Sequence, residues 1–399
     1  MASLLTLEEA QEQVLARARP LAVELVPIAE AAGRVTAEDV RARVDLPPFA
    51  SSAMDGFAVR AADLPGTLRV AGESAAGTPF AARVAPGDAV AISTGAVVPD
   101  GADAVVPIEH VVKTDNSVEI ADASEPGAHV RPRGGDVAAG EVVVPSGARL
   151  TPAALAAAAA SGVSELSCRR RPRVVVLATG SELVTPGGDL GSGEIYETNS
   201  LMLSAALTAA GADVVTVPPV ADDEPALREA LERGLAADVL VTSGGVSVGE
   251  HDLVRAVEGE LGVEEIFWRV SIKPGKPILF GVRGDTLVFG LPGNPVSSLV
   301  GCELFVKPAL RALQGLEHPL PRYEPGRLGA ALRRTAERDE FVRARSRVDG
   351  DALTLDPVIG QESHMIVRSG AADALVHVPR GNGGLEAGSL VRWLRLGSA

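Results

Sequence analysis

The sequence predicts a multidomain α/β protein with β-rich regions on either side of a central parallel or mixed αβα sheet domain. Three observations predict it. Apolar strand-like runs alternate with helical segments between Arg173 and Leu313, the pattern of a sheet with crossover helices. Short alternating stretches broken by Gly, Pro and Asp flank this block on both sides, the texture of small antiparallel sheets. At 399 residues the chain also exceeds one ordinary core.

The elements follow in order. Leu4, Leu7, Ala10, Val14 and Leu15 form an apolar stripe over residues 4–19, with Thr6 as the cap. Residues 21–45 read as strand, short helix, strand. Stretches such as FAVRA, LRVAGES and DAVAIST make residues 47–137 a small β-rich domain. Thr151 and Pro152 open an alanine-rich helix that Gly162 stops. VVVLATG is a continuous apolar strand of the kind buried on both faces. Asn199 is expected to cap the next helix, ADVVTVPPV is a strand, and Pro225 lies at the start of another helix. ADVLVTSGG, FWRVSI, PILFGV and TLVFGLPG are expected to extend the sheet, and Pro295 starts a helix to about Leu313. FVRARSRV, ALTLDPV, LVHVP and SLVRWLRL form a terminal β region.

The expected domains are residues 1–46 with 138–170, a discontinuous linking α+β domain; 47–137; 171–317; and 318–399, barrel-like. Helix 4–19 has a second expected placement, on the central domain.

Composition excludes several function classes. With 46% hydrophobic and 22% charged residues the chain is expected to fold in solution. A transmembrane helix would need about 18 uninterrupted apolar residues, and no such run occurs. The acidic N-terminal stretch does not read as a signal peptide. A net charge of −15 argues against nucleic acid as a partner. Arg169, Arg170, Arg171 and Arg173 read as a solvated linker face. Cys168 and Cys302 are spaced neither as a metal pair nor as a disulfide framework, which suits a reducing cytoplasm. Six histidines without HxH or HxxxH spacing argue against zinc.

Three segments carry the chemistry: TSGGVSVGEHD (242–252), SIKPGKP (271–277) and GLPGNPVSS (290–298). Each follows a strand-like run. In the first, Gly244, Gly245 and Gly249 let backbone approach a ligand, and Ser243 and Ser247 offer donors to a phosphate. Asp252 stands at a helix start, able to coordinate a cation or orient a polar ring. In the second, two prolines stiffen a loop bearing Lys273 and Lys276. In the third, Pro292 and Gly293 precede Asn294 as N-cap and Pro295 at the first helical position, which aims free amides at an anion. Each alone is also an ordinary turn or strand-to-helix junction.

A scattered set of acids joins them. Asp55 follows Ser51 and Ser52; Thr94, Asp103 and Glu109 lie downstream. Arg131 and Arg133 precede Asp136; Glu182 follows Thr179 and Gly180; Asp222 and Asp223 end a strand. Singly these are turn acids or caps. Together they offer hard oxygen ligands suited to Mg²⁺, and so a Mg²⁺-dependent enzyme acting on a phosphorylated small molecule.

SSAMDGFAV, STGA, RPRGGD, LATGSEL, EIYETNS, TSGGVSVGEHD, IKPGKP and GLPGNPVSS occur in the order found in the molybdopterin molybdenumtransferases, the family of MoeA and the gephyrin E domain, which the chain resembles over essentially its whole length. The resemblance implies Mg²⁺-assisted insertion of molybdate into the dithiolene of adenylylated molybdopterin, with release of AMP. It implies a central MogA-like domain and a cytoplasmic homodimer whose partner contributes Asp55, Thr94 and Asp136 to each cleft. Glu182, Asp222, Asp252, Lys273 and Lys276 would line the α/β side, and Ser243, Gly244, Gly245 and Ser247 would hold the pterin phosphate end. Asp55, Asp136 and Glu182 are the expected metal ligands. Transient contact with molybdopterin adenylyltransferase and apo-molybdoenzymes is also implied. Phe57 stands where the family commonly has Tyr, and Ser181 where Asp is common, which leaves Glu182 as the metal-side acid.

Three alternatives remain at this point. An adenylyltransferase would need only the central domain, and SSAMDG and KPGKP argue against it. A non-catalytic molybdopterin-binding scaffold or carrier need not keep the full set of acids and lysines. Tungstate, nearly isosteric with molybdate, is not distinguished by any residue.

Overall fold

The computed structural model describes residues 4–245, 253–350 and 352–397. The chain divides into two compact units, one of residues 1–24, 33–37 and 169–399, the other of 25–32 and 38–168.

The larger unit begins with α1 (Leu7–Leu15). The Thr6 hydroxyl accepts from the Glu9 amide at 3.1 Å and the Glu9 carboxylate accepts from the Thr6 amide at 2.8 Å, a reciprocal cap that fixes where the helix starts. Thr6 is the cap the sequence predicts, while Leu4, Leu5 and residues 16–19 of the expected helical stretch lie outside the helix. Leu7, Ala10 and Val14 are buried in one core with Val174, Val176, Val239 and Phe289. Gln11 adds a 2.9 Å bond to the Leu304 carbonyl. The helix therefore belongs with the central unit.

A six-stranded sheet follows, built from β1 (Arg173–Thr179), β2 (Asp213–Val220), β3 (Val239–Ser243), β4 (Glu264–Trp268), β6 (Leu279–Arg283) and β7 (Thr286–Leu291). Their spatial order is β2-β1-β3-β7-β6-β4. The β2, β1, β3 and β7 pairs are parallel and the β7-β6-β4 pairs antiparallel. Helices α2 (Asn199–Ala209), α3 (Glu224–Gly234) and α4 (Leu253–Glu260) join the parallel strands. The fully buried β3 reads as an unbroken apolar and hydroxyl run because both its faces are covered. Helix α3 starts at the Asp223 cap, whose carboxylate accepts from the Ala226 amide. After β7, Pro295–Leu313 is one helical run in which α5 (Pro295–Gly301) and α6 (Lys307–Leu313) flank a π-helical turn at Cys302–Val306.

The sequence reading is corrected at the FWRVSI segment. Only Glu264–Trp268 joins this sheet. Ile272–Lys273, here β5, pairs in parallel with the start of β9 (Asp339–Asp349), Ile272 opposite Asp339 and Lys273 opposite Glu340. Arg269, at φ +81°, turns the chain from one sheet to the other.

The terminal region is a closed five-stranded barrel of β8 (Glu324–Leu328), β9, β10 (Ala352–Pro357), β11 (Ala374–Val378) and β12 (Leu390–Arg395). It runs β9-β10-β8-β12-β11 and closes by β11 pairing with β9. A short helix, α7 (Ile366–Ser369), lies between β10 and β11. Phe341, Leu375 and Leu394 of the barrel share the core of the α/β sheet, so the two pack as one body.

The other unit has three cores, one of them Ala58, Val84, Val90, Ile92, Ala96 and Val105. A sheet of six strands, in the order 104–107, 56–59, 88–92, 66–74, 117–120 and 112–113, encloses Phe57, Val59, Ala89 and Val118. The third core gathers Val26, Val40, Leu150, Ala158 and Leu166 around the helix Pro152–Ala160. The Arg169–Arg173 cluster is not a solvated face. Arg170 forms a fork of two 2.6 Å bonds to Asp238, and Arg169 donates to the Leu21 carbonyl. Among the described residues no helix is long and apolar enough to cross a membrane.

Candidate functional site

The carboxyl ends of β1, β3 and β7 open into a cavity of about 660 Å³. Chain order reverses between β1 and β3, the place where an open α/β sheet leaves a crevice. Thr179 and Gly180 come from the end of β1, Ser243 to Gly245 from β3, and Pro292 to Pro295 from the loop after β7.

The glycines are required here. Gly244 and Gly245 have φ of +99° and +64°. A Cβ on Gly244 would stand 2.6 Å from the Thr179 carbonyl oxygen, and one on Gly245 would stand 2.2 Å from Val254 Cγ2. Only bare backbone lets this loop lie against the end of β1.

Asn199 is the first residue of α2 and does not cap it. Its Nδ2 donates to the Ser243 hydroxyl and to the Gly293 carbonyl, both at 2.8 Å. The side chain expected to cap a helix instead ties the β3 and β7 loops together. Asn294 occupies the N-cap position of α5 without a side-chain cap bond; its Nδ2 donates to Ser363 Oγ at 3.0 Å. Among the described residues, Thr179 Oγ1 and Asn199 Oδ1, from two residues of the cavity lining, are buried without a hydrogen-bond partner. Orphaned polar groups in a cleft wall suit a polar occupant, since burial without a bond is costly.

Carboxylates form the other side. Glu182 and Asp222 line the cavity with Glu197. Asp222 is held by the Ser181 amide and hydroxyl at 3.3 Å each, and its own amide donates to Ser181 Oγ at 3.0 Å. Glu197 accepts from the Ser200 amide at 2.8 Å. The Glu182 carboxylate folds back over Gly180, where a Cβ would meet it at 2.6 Å.

A second cavity of about 300 Å³ adjoins the first, and Pro277, Pro292 and Asn294 line both. Lys273, Lys276 and Arg338 line it together with the carboxylates Glu340 and Glu362, and Ser297 and Ser363 add hydroxyls. Lys273 pairs with Glu340 at 2.9 Å across the β5–β9 ladder. Lys276 is exposed.

The remaining expected residues divide by location. Ser247, Gly249 and Asp252 lie outside the described residues. In the smaller unit, Asp55 Oδ1 accepts from the Thr94 amide at 2.7 Å, so these two residues meet. Ser51 and Ser52 are buried beneath them, and the Ser52 hydroxyl bonds the Met54 backbone. Asp136 is exposed on the loop that Asp45 pins through Arg133 (2.6 Å) and the Ala139 amide (2.9 Å). Asp103 accepts from the Ala61 amide, which makes it a turn acid. Of the expected metal ligands, Asp55 and Asp136 thus lie in one compact unit and Glu182 in the other. Among the described residues no group of three or more His, Cys, Asp or Glu could hold a metal.

Sequence reasoning missed Arg338, Ser363 and His364, which come from the barrel region. They sit in no glycine-rich loop and follow no strand that ends at the crevice, so nothing in their spacing marks them.

Fold and clefts together define a multidomain α/β protein with a polar cleft at its sheet's carboxyl edge and a smaller charged cavity beside it. The comparisons with known proteins are specific. Residues 5–162 match the MoeA N-terminal region (domain I and II), residues 175–312 a "probable molybdopterin binding domain", and residues 325–396 the MoeA C-terminal region (domain IV). A molybdopterin molybdenumtransferase of Haemophilus influenzae is 36% identical, covering 97% of this chain and 98% of that protein. Molybdopterin molybdenumtransferase 2 of Mycobacterium tuberculosis is 39% identical over 94% of this chain and 95% of its own length. A crystal structure of the molybdopterin biosynthesis MoeA protein from Pyrococcus horikoshii superposes with a TM-score of 0.82 at 32% identity, covering 98% of this chain and 99% of that one. The chain belongs to the molybdopterin molybdenumtransferase family, MoeA.

Proposed function

We propose that this protein inserts molybdate into the dithiolene of adenylylated molybdopterin, releasing AMP and completing molybdenum cofactor. The observation that carries the reading is the pair of adjoining cavities with Pro277, Pro292 and Asn294 in common. One offers glycine backbone, hydroxyls and the start of α5 to a phosphorylated ligand. The other has three cations against two carboxylates, with Lys273 already paired to Glu340, so Lys276 and Arg338 are the charges it offers to a tetrahedral dianion, a point charge and a planar fork.

The roles follow from position. Ser243, Gly244 and Gly245 would bind the phosphate end of the pterin ligand, held in place by Asn199. Lys276 and Arg338, beside the Lys273–Glu340 pair, would hold molybdate next to it, so that two reactants are presented to each other in a fixed orientation. The donor set of Glu182 and Asp222 fits Mg²⁺, which is commonly bound by one or two carboxylates plus substrate phosphates. When bound, the ion supplies neutralisation of charge on the phosphoanhydride. The sulfurs that take up molybdenum belong to the substrate, so the buried cysteines Cys168 and Cys302 have no part in the chemistry.

The same reading takes the protein as a cytoplasmic homodimer in which the partner's smaller unit brings Asp55, Thr94 and Asp136 to the cleft. Their location in a separate compact unit supports it. The test is turnover of purified protein with adenylylated molybdopterin, Mg²⁺ and molybdate, following AMP and cofactor together. Molybdate-dependent AMP release with active cofactor is expected; tight binding without turnover would favour a carrier. Tungstate in a parallel reaction measures the choice of metal.

A further inference from the structure

Residues 358–369, the segment that follows barrel strand β10, contribute to the lining of both cavities. His364 and Ile366 face the larger cavity, and Gln361, Glu362 and Ser363 the smaller. Little of it is held by its own packing: Ile359 and Val367 are 85% and 88% exposed. Most of its side-chain bonds come from one residue of β9. Arg343 is fully buried. Its Nη1 donates to the Met365 carbonyl (2.8 Å) and Ser369 Oγ (2.7 Å), and its Nη2 to the Gly360 carbonyl (2.8 Å) and more weakly to Glu362 O (3.3 Å).

A second set of bonds reaches the same residue. The Gln361 side chain accepts from the Arg343 amide at 3.0 Å and donates to the Arg343 carbonyl at 2.9 Å. The Val358 amide also donates to that carbonyl, at 3.0 Å. Four acceptors spread over ten residues are thus gathered by one planar fork, a geometry that an ammonium on a flexible stem does not reproduce. A cation buried among carbonyl dipoles is costly to desolvate, more than a surface loop needs for anchorage alone. What the anchorage delivers is the Ser363 position. Ser363 Oγ accepts from Asn294 Nδ2, and its carbonyl accepts from the Val296 amide at 3.1 Å.

We propose that Arg343 is a positioning residue for the oxyanion subsite, setting the 360–369 segment so that Ser363 faces the smaller cavity that Arg338 and Lys276 also line. This rests on reading that cavity as the molybdate site. Arg343 itself touches no ligand.

The test uses full-length Arg343→Lys and Ser369→Ala, with molybdate binding by calorimetry and the separate dependence of kcat and KM on molybdate; Ser369 is an Arg343 acceptor that lines neither cavity. Arg343→Lys is expected to raise the molybdate Kd and KM about tenfold or more, with a smaller fall in kcat at saturating molybdate. Ser369→Ala is expected to move in the same direction by less. AMP affinity at the larger cavity should change by less than about twofold in both. Folded variants with unaltered molybdate Kd and KM, or with molybdate and AMP affinity lost in equal measure, would overturn the proposal. If Arg343→Lys does not fold, Ser369→Ala decides alone. A parent protein that fails to bind molybdate removes the function reading itself, and the proposal with it.

Discussion

The Asn199 amide donates to the Gly293 carbonyl at 2.8 Å while the same nitrogen reaches Ser243 Oγ. The first residue of one helix therefore fixes the loop that precedes another. Asn199→Ala should cost about 1–3 kcal/mol of stability, the scale for a buried polar partner left unmatched. It should also weaken pterin-ligand binding, because the 292–295 loop loses its tether. Urea unfolding and ligand titration on one preparation check both.

Gly245→Ala should be worse than its size suggests. At φ +64°, with Val254 Cγ2 only 2.2 Å from the added Cβ, the residue must shift the loop. Strain of about 1–3 kcal/mol is expected, together with loss of phosphate-ligand affinity. Wild-type affinity in a folded Gly245→Ala protein would show that this loop does not hold the ligand.

The two lysines should differ. Lys273 is engaged with Glu340 and is 45% exposed, whereas Lys276 is exposed on the same loop. Lys276→Ala is expected to raise the molybdate KM about tenfold, consistent with losing one charged hydrogen bond. Lys273→Ala leaves Glu340 facing the cavity uncompensated, so it should be the more damaging. Adding Glu340→Gln to Lys273→Ala should recover part of the loss. Equal KM values for all three variants would remove the distinction.

Asp55→Ala should leave the unfolding transition little changed, since its side chain holds only the Thr94 amide on an exposed turn. Turnover should fall ~100-fold, the scale of removing a charged group from a reacting centre. Unchanged turnover would count against any part for Asp55 in the reaction.

Acid should weaken the larger unit through Asp238. Burial alone would raise its pKa, but the Arg170 fork and the Arg173 amide outweigh that and hold it below the usual carboxylate range. A folded pKa below the unfolded value, about 3.9, means the stabilisation is fully present above that pH. It is lost as pH falls through the folded pKa. Denaturant midpoints at pH 7 and pH 3 should differ less in Asp238→Asn than in the parent.

Much of the fold was legible because its signals are local. The Thr6 cap, the Pro152 helix start and the continuous apolar strand at 173–179 are each set by neighbours in sequence. The glycine loop after β3 was legible for the same reason. What was not legible depends on long-range pairing. Ile272 and Lys273 look like more of the α/β sheet, yet their partners are 67 positions away in β9. Arg343 stands in an alternating FVRARSRV run in which a charged residue reads as outward-facing. The acceptors that make its burial tolerable come from a separate loop. Asn199 was read as a cap because Asn at a helix start is most often one; that its amide turns toward Gly293 needs the tertiary structure.

The strand pairing of Ile272 and Lys273 with β9 has a practical consequence for anyone cutting or exchanging pieces of this protein. The lysine loop is encoded in the middle of the chain, yet one of its edges is a rung of the terminal barrel. A truncation that stops after Leu313 would leave that rung unmatched, remove Arg338 and Ser363, and strip Phe341, Leu375 and Leu394 from the core they share with the α/β sheet. The central sequence block is therefore not a transplantable enzyme. Any chimera that keeps its chemistry has to inherit the barrel from the same parent.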